Sequence, residues 1–403
     1  MDPRVRGHTG TRRDLSPVRQ RLRVLFFVEG FTDIRFVVGL SEICDLTLAV
    51  PASTYRSSGL DLRLASSGAN VQVDEIPGGR SGFQLRSLVY LLRRARRFDA
   101  ILSQEVLRGS LNATFVGRLL GVPVVAYMGI APVEYFRCRR ERGQIGPVTS
   151  ALGVGVIHTL MTLNGRLASH WLAMGPYLRD VGARYCRRIS IGRYYGVDTS
   201  IFRPLSANER RALRQRLDLP DDRFLIFLSS RMSHEKDPET VIAATSLVRQ
   251  RGLDAVLINL SGGYREFLAL ARSLGVPTGA DWIIGRPAAD PRTEVAGYFQ
   301  AADAAVLASL AEGAAFSTLE ALACGTPTVA TAVGGMAVQL DGYARLVPRR
   351  DAKALADSLL WIASHVEEAR AQALLGRDYV LREWGRNQAF RDLEVLLRSV
   401  SAA

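Results

Sequence analysis

Short apolar runs alternate with longer amphipathic stretches along most of the chain, and the alternation starts at Leu22. In the first half the runs predict strands over 23–28, 45–50, 70–74, 100–104 and 122–127, with helical periodicity clearest over 84–97 and 110–120. Residues 132–170 keep no clean period and are assigned to helix; strand-like HWLAMG and RISIGRYYG follow. A turn-rich segment over 196–204 interrupts the rhythm. It resumes with strands over 224–229, 255–260, 282–285, 304–308 and 328–331, and helices over 238–251, 264–274, 293–301 and 318–324. The last 50 residues read as helix throughout. Repeated strand–helix units imply a parallel sheet with helices on both faces. Two such arrays joined by a short linker imply an α/β protein of two doubly wound lobes facing a central cleft. In such sheets ligands sit beyond the carboxyl ends of the strands.

A chain of 403 residues has room for two lobes, and 48% hydrophobic with 23% charged residues is the composition of a folded protein. Residues 1–20 are polar, basic and aperiodic, and predict a disordered tail. No apolar run approaches the roughly 20 residues of a membrane-spanning helix. The apolar stretch after the early arginines is too short for a secretory signal. A cytoplasmic protein is therefore expected. Cys44, Cys138, Cys186 and Cys324 are scattered, with no Cys-x-x-Cys pair and no histidine at ligand spacing, which argues for reduced thiols and against structural zinc.

The net charge is +13, and lysine occurs only at Lys236 and Lys353, so arginine supplies the other 50 of the 52 basic residues. A GC-rich coding bias accounts for that preference, yet a basic surface attracts polyanions whatever its origin. Nucleic acid is the weakest candidate, because the arginines are spread along helices without interleaved aromatics or a recognition motif. Anionic lipid headgroups and phosphorylated substrates remain. Arg80, Arg93, Arg94, Arg96 and Arg97, with YFRCRRER at 135–142, either form a basic face on the first lobe or are solvated helix arginines.

Two clusters carry candidate chemistry. In the first, the strand at 304–308 runs into Glu312, Gly313, Ala314, Ala315, Phe316 and Ser317, then a short helix holding Glu320. Small residues let a ligand approach the backbone. The free amides at the helix start, with the positive end of its dipole, suit a diphosphate. Each acid also has a plain alternative: Ser317-x-x-Glu320 is a capping box, and Glu312 an exposed loop acid. Gly334 and Gly335 fit any turn. The second cluster places Arg231 and Lys236 on the loop after the first strand of the second lobe. There the arginine fork and the lysine point charge could share one diphosphate, or be solvated.

The E-x7-E segment with its EALACGTPTVAT continuation resembles the signature of retaining GT-B glycosyltransferases, in particular family 4 (group 1). SRMSHEKDPETVIAA resembles that family's Arg…Glu-Lys-Gly donor loop, with Asp237 where glycine is common. YYGVDTSIFRP resembles its interdomain segment, and DWIIGRP, YFQAADAAVLASLAEG and DGYARLVPRRDAKALADSLL follow in the expected order. The likeness is strong over 190–365 and weak over 22–190. It implies catalytic roles for Glu312, facing the sugar, and for Arg231 and Lys236 on the donor diphosphate. Glu320 would hold the ribose, the backbone of 313–317 would contact sugar and phosphates, and Gly285 and Arg286 would lie at the base. The donor would be a UDP-, GDP- or ADP-sugar, with no separate cofactor. No metal is expected, and the sequence has no Asp-x-Asp to hold one. Retention would follow from same-face attack with the departing phosphate as base.

The resemblance also implies a division into a tail (1–20), an acceptor-side lobe (21–196), a linker (197–205), a donor lobe (206–383) and a C-terminal helix (384–403) returning to the first lobe. The first lobe departs from the family pattern. Its Gly-Gly loop is reduced to Gly30 in Glu29-Gly30-Phe31, and Met128 stands where many members have histidine. The expected acceptor bears a lipid or phosphate, with peripheral contact at the inner face of an anionic membrane, in glycolipid, polysaccharide or other glycoconjugate synthesis. A nucleotide-sugar epimerase of the same fold, a basic nucleic-acid-binding protein and an inactive scaffold are the alternatives.

Overall fold

The computed structural model describes residues 20–402 apart from Gly79 and His234, so the expected tail, Gln20 excepted, lies outside the described residues. Lobe 1 runs β1 (Arg23–Phe27), α1 (Ile34–Ile43), β2 (Asp45–Pro51), α2 (Ala52–Ser57), α3 (Leu60–Ala65), β3 (Val71–Ile76), α4 (Arg80–Arg94) with a 3-10 turn (Ala95–Arg97), and β4 (Ala100–Ser103). It continues with α5 (Arg108–Leu120), β5 (Val124–Met128), α6 (Pro132–Glu141), α7 (Pro147–Leu167), β6 (His170–Met174), α8 (Pro176–Gly182) and β7 (Ile189–Gly192). Lobe 2 runs α9 (Ala207–Arg216), β8 (Phe224–Leu228), α10 (Pro238–Gln250), β9 (Ala255–Leu260), α11 (Tyr264–Ser273), β10 (Ile283–Arg286), α12 (Val295–Ala301) and β11 (Ala304–Leu307). Then come α13 (Phe316–Ala323), β12 (Thr328–Thr331), α14 (Gly334–Gln339), β13 (Arg345–Val347), α15 (Ala352–Ser364), α16 (Val366–Glu383) and α17 (Arg386–Ser401).

Both sheets are parallel throughout, ordered β3-β2-β1-β4-β5-β6-β7 and β10-β9-β8-β11-β12-β13. Strands β4, β5, β9, β11 and β12 are buried along their whole length. Helices on both faces leave no wet side, so these strands read as unbroken apolar runs rather than alternating ones. In each sheet the order reverses beside the first strand, between β1 and β4 and between β8 and β11. These switch points open a crevice at the carboxyl ends.

Periodicity missed the short helices α2, α3, α8 and α14, and also α9. That helix buries little besides Leu213 and Arg214, and is set by a capping box in which Ser206 and Glu209 bond each other's backbone. Residues 132–170 divide into α6 and α7 around a break at 142–146.

The chain crosses between the lobes twice, and the crossings are hydrogen-bonded to each other: Val197 N–H donates to the Trp384 carbonyl (2.7 Å) and Arg386 N–H to the Val197 carbonyl (3.0 Å). Beyond the second crossing α17 packs on α1 and reaches β4 and β7. One hydrophobic cluster runs through both lobes. An aromatic seam carries it across: Phe36 to Tyr194 (4.5 Å between centroids), Tyr195 to Phe316 (4.5 Å) and Phe316 to Trp384 (5.7 Å).

At the lobe 1 switch point two acids sit together. Glu29 follows β1 and pairs with Arg108; Glu105 follows β4 and accepts from the Gly109 amide (2.5 Å). Burial, reinforced by the Glu29 charge, pushes the Glu105 carboxyl up to about 7. A carboxyl that holds its proton more tightly when folded takes up protons on folding. Stability is therefore greatest below its ordinary value of 4.5 and falls as pH rises through about 7. Glu105→Gln is expected to flatten that decline and to raise the melting temperature at pH 8 by a few degrees. Thermal melts of both proteins from pH 5 to 8 check this, and parallel profiles would refute it.

Candidate active site

The loop after β8 folds back on itself, with Lys236 N–H donating to the Ser233 carbonyl (3.1 Å), and ends in Asp237 with left-handed backbone (φ 45°). That conformation favours glycine, which explains why glycine suits this position; aspartate tolerates it better than most residues. Asp237 is anchored by the Thr240 hydroxyl (2.7 Å), and α10 then starts with Pro238. The turn aims Lys236 at the loop after β11. Its Nζ lies 2.5 Å from Glu312 Oε2, which also accepts from Ser309 Oγ (3.1 Å). The Leu310 amide donates to the Glu235 carbonyl (2.6 Å), pinning the two loops together. Glu235 is held below the usual carboxylate range: burial alone would raise it, and the Ser233 hydroxyl, Lys236 and Arg231 outweigh that. Arg231 stands at the rim, its side chain 61% exposed.

Gly334 and Gly335 are more than a turn. Gly335 N–H donates to the Glu312 carbonyl (2.9 Å), and a Cβ on Gly335 would stand 1.8 Å from the Gly313 carbonyl oxygen. The start of α14 thus packs directly on the 312–313 backbone. Lobe 1 meets the same loop from the other side, because a Cβ on Gly313 would stand 2.8 Å from the Gly129 carbonyl oxygen. Met128, in the place of the family's histidine, is fully buried just behind.

Glu320 is no capping-box partner. α13 begins at Phe316 with Ala315 as its cap, so Ser317 lies inside the helix and makes no cap bond. Glu320 is buried and accepts instead from Arg35 Nη1 of lobe 1 (2.5 Å). Arg35 is gripped on every edge. Its Nε and Nη2 bond the two Asp33 oxygens (3.0 and 2.9 Å), Nη2 also meets the Tyr195 hydroxyl (2.7 Å), and the Tyr195 ring lies 3.9 Å beneath the guanidinium. Burial raises the Glu320 pKa above its ordinary value; Arg35 pulls the other way without cancelling it. Asp33 also faces a burial penalty, and Arg35 carries it below its ordinary value. Sequence reading missed Arg35 and the tyrosine. The available signals were Asp33 placed to cap α1, which it does (2.9 Å to Arg35 N), and Tyr195 within the YYGVD segment.

The remaining expected residues are more dispersed. Gly285 and Arg286 end β10, two strands from β8, but the Arg286 guanidinium donates to the carbonyls of Leu217 (2.6 Å) and Asp218 (3.0 Å). The fork expected at the base is committed to closing α9, which leaves the strand backbone there. Gly30 lies after β1 with open space around it.

The expected basic face is thinner than the sequence implied. Arg142 bonds Glu239 through both nitrogens (2.8 and 3.0 Å), bridging the lobes, and Arg94 pairs with Asp74 (3.0 Å). The Arg80 side chain lies outside the described residues. Tyr135 turns into the cleft, where burial and the neighbouring Glu312 and Glu235 push its hydroxyl up, and Phe136 lies against Gly153. An interlobe cavity of about 300 Å³ opens beside Ala311 and Gly334, lined also by Glu134, Arg137 and Tyr177. A larger one, about 420 Å³, lies at the opposite, amino ends of the lobe 2 strands around Arg210, Arg214 and Pro327. Ligands of such sheets bind at the carboxyl ends.

Among the described residues no group of three or more His, Cys, Asp or Glu is placed to hold a metal ion, all four cysteines are buried and unbridged, and no helix is long and apolar enough to cross a membrane.

Two parallel, doubly wound lobes that face each other with the carboxyl ends of their strands are the GT-B architecture. Residues 209–373, in the second lobe, match the family model described as glycosyl transferases group 1. The D-inositol 3-phosphate glycosyltransferase of Arthrobacter sp. (strain FB24) is 32% identical over 272 residues, 62% of this chain and 60% of that protein. One of the same name from Catenulispora acidiphila is 30% identical over 258 residues, 61% of this chain and 59% of its own. The chain thus spans about three fifths of the length of these relatives. Among solved structures, Anabaena Alr3699/HepE in complex with UDP-glucose superposes with a TM-score of 0.73 at 14% identity, covering 94% of this chain and 100% of that one. Sucrose-phosphate synthase from Thermosynechococcus elongatus gives 0.71 at 16%, covering 95% and 100%. At these identities the likeness is one of fold.

The Arg35–Glu320 pair makes a measurable demand on stability. Removing one partner of a buried ion pair typically costs about 3–5 kcal/mol, because the other charge is left unpaired. Arg35→Ala should therefore destabilise strongly. Arg35→Met combined with Glu320→Met should fall well short of the sum of the single effects. Chemical denaturation of Arg35→Met, Glu320→Met and the double variant measures the coupling, and additive losses would contradict it.

Proposed function

We propose that this protein is a retaining glycosyltransferase that moves a sugar from a nucleoside diphosphate sugar to an acceptor hydroxyl. The observation that carries the reading is the junction of Lys236 and Glu312 at the lobe 2 switch point, with Arg231 at its rim and Glu320 on the adjoining helix. Cleavage of the bond from the anomeric carbon to the diphosphate oxygen leaves negative charge on the diphosphate. Fixed cations and the amides at the start of α13 stabilise that charge. Lys236 is paired with Glu312. The donor diphosphate takes Lys236 over, and Glu312 is released to face the sugar. The ribose competes with Arg35 for Glu320, so the lobes open before the donor enters. The new bond from the anomeric carbon to the acceptor oxygen forms on the face the diphosphate leaves, and the acceptor proton passes to a departing phosphate oxygen. No protein nucleophile and no metal take part.

The acceptor carries a phosphate or a lipid and is met at the inner face of the membrane, in the synthesis of a glycoconjugate. The relatives named for a phosphorylated inositol support the phosphate part of this reading.

Thermal-shift measurements with UDP-, GDP- and ADP-glucose identify the donor, and the test of transfer is whether nucleoside diphosphate accumulates only with an acceptor present. Equal accumulation without one would overturn the reading. A hydrogen bond to a charged group is worth about 1.5–3 kcal/mol. Lys236→Ala is accordingly expected to weaken binding of the nucleoside diphosphate on the order of ten- to a hundredfold by calorimetry at a temperature where the variant is folded. It should lower the melting temperature as well, because Glu312 is left buried without its cation. Unchanged affinity would remove this loop from the donor site. Activity is expected to persist in excess EDTA. Loss with rescue by manganese or magnesium would refute the cationic account of the leaving group.

A further inference from the structure

The chain leaves β1 in one direction along the sheet and β4 in the other, and right-handed crossovers put α4, α5 and α7 on the face away from α1 and α17. α5 lies between α4 and α7, and the three present an unusual outer surface. On α4 and α5, Leu85, Leu92, Phe115 and Leu119 are exposed, Leu85 by 71%. On α7, Val148, Leu152 and Val156 form a stripe at four-residue spacing, each more than half exposed. Only Ser150, Ile157, Met161 and Asn164 of this 21-residue helix are buried, and its one Arg, Lys, Asp or Glu is Arg166 near the far end. A helix facing water is normally charged on its outer side. An exposed apolar array of this extent marks a surface that something covers.

Charge identifies the cover. None of the three helices contains an aspartate or glutamate, whereas α4 ends in Arg93 and Arg94 and α5 carries Arg108 and Arg118. Beside α7, Arg137, Arg139 and Arg140 of α6 are exposed, and Arg137 and Arg140 line an open groove of about 560 Å³ with Ser150, Ala151, Val154 and one acid, Glu141, which is engaged by Arg349. Among the described residues, Arg93, Arg96, Arg97, Arg118, Arg137 and Arg140 pair with no acid. A second copy meeting this face across a twofold axis would set arginine against arginine. A bilayer with anionic headgroups meets both features at once, phosphates against the arginines and hydrocarbon against the stripe.

We infer that lobe 1 docks on an anionic membrane through α4, α5 and α7, with the Val148–Leu152–Val156 stripe and Phe115 inserted and the arginines of α6 among the headgroups. Arg137 also lines the interlobe cavity beside Ala311 and Gly334, so the docked surface adjoins the mouth of the cleft. The docking stands on this face alone; only the delivery of a lipid-borne acceptor to the cleft rests on the transferase reading.

The full chain is sedimented with neutral phosphatidylcholine vesicles and with vesicles containing about one third phosphatidylglycerol, at low salt and at about 0.5 M salt. Binding is expected to the anionic vesicles at low salt and to weaken at least tenfold at high salt. At about fivefold per arginine, Arg137→Ser with Arg139→Ser and Arg140→Ser should lower partitioning about a hundredfold. Leu152→Asp with Val156→Asp should lower it on the order of tenfold or more. Thermal midpoint is the folding control, and donor affinity is measured separately, so failure of docking and failure of the transferase reading show independently. No sedimentation with anionic vesicles at low salt would overturn the inference. So would equal binding of the aspartate variant, or a dimer in solution that Leu152→Asp dissolves, which would make a second copy the cover.

Discussion

A carboxylate buried in the middle of a helix must be paired or neutral, and Glu320 finds its cation in the other lobe. The arrangement of the cleft follows from this. Arg35 can serve only because Asp33 and Tyr195 hold its fork flat and supply its remaining bonds. The aromatic seam from Phe36 to Trp384 excludes water beside it, which strengthens the pair and raises the cost of parting it. The same contacts hold the two lobes together across the cleft.

Around that pair, backbone geometry does the positioning. The switch point between β8 and β11 leaves two loops side by side, and the bond from Leu310 to Glu235 holds them in register. The left-handed turn at Asp237 and the contact of α14 with the 312–313 backbone fix where Lys236 and Glu312 point. Bonds across the second edge of the cleft, from Arg142 to Glu239 and from Arg349 to Glu141 (3.0 Å), resist shear between the lobes.

The excess of arginine has two fates. Many guanidiniums act as internal clamps on carbonyls that helices and strands leave unpaired: Arg214 on Ala301 (3.0 Å), Arg249 on Ala255 (2.7 Å) and Arg286 on Leu217. A planar fork with five donors suits such work better than an ammonium. Others pair with no acid among the described residues, and Arg118, Arg137 and Arg140 of these lie on lobe 1 beside exposed apolar side chains.

The sequence by itself determined the two-lobed parallel architecture, because strands buried on both faces must be apolar along their length and the helices between them must be amphipathic. It also placed Lys236 and Glu312 on strand-end loops, where chain order alone decides the location. Three things depended on contacts between residues far apart in the chain. Ser317 and Glu320 have the spacing of a capping box, but the cap fell on Ala315, and Glu320 turned to a partner 285 positions away. Arg286 stands at a strand end in the sequence and is drawn off by the carbonyls of α9. Tyr135 belongs by spacing to a basic surface helix and by packing to the cleft. In each case local pattern fixes which element a residue lies on. The direction and partner of a buried charge are chosen by desolvation, which only the assembled lobes impose.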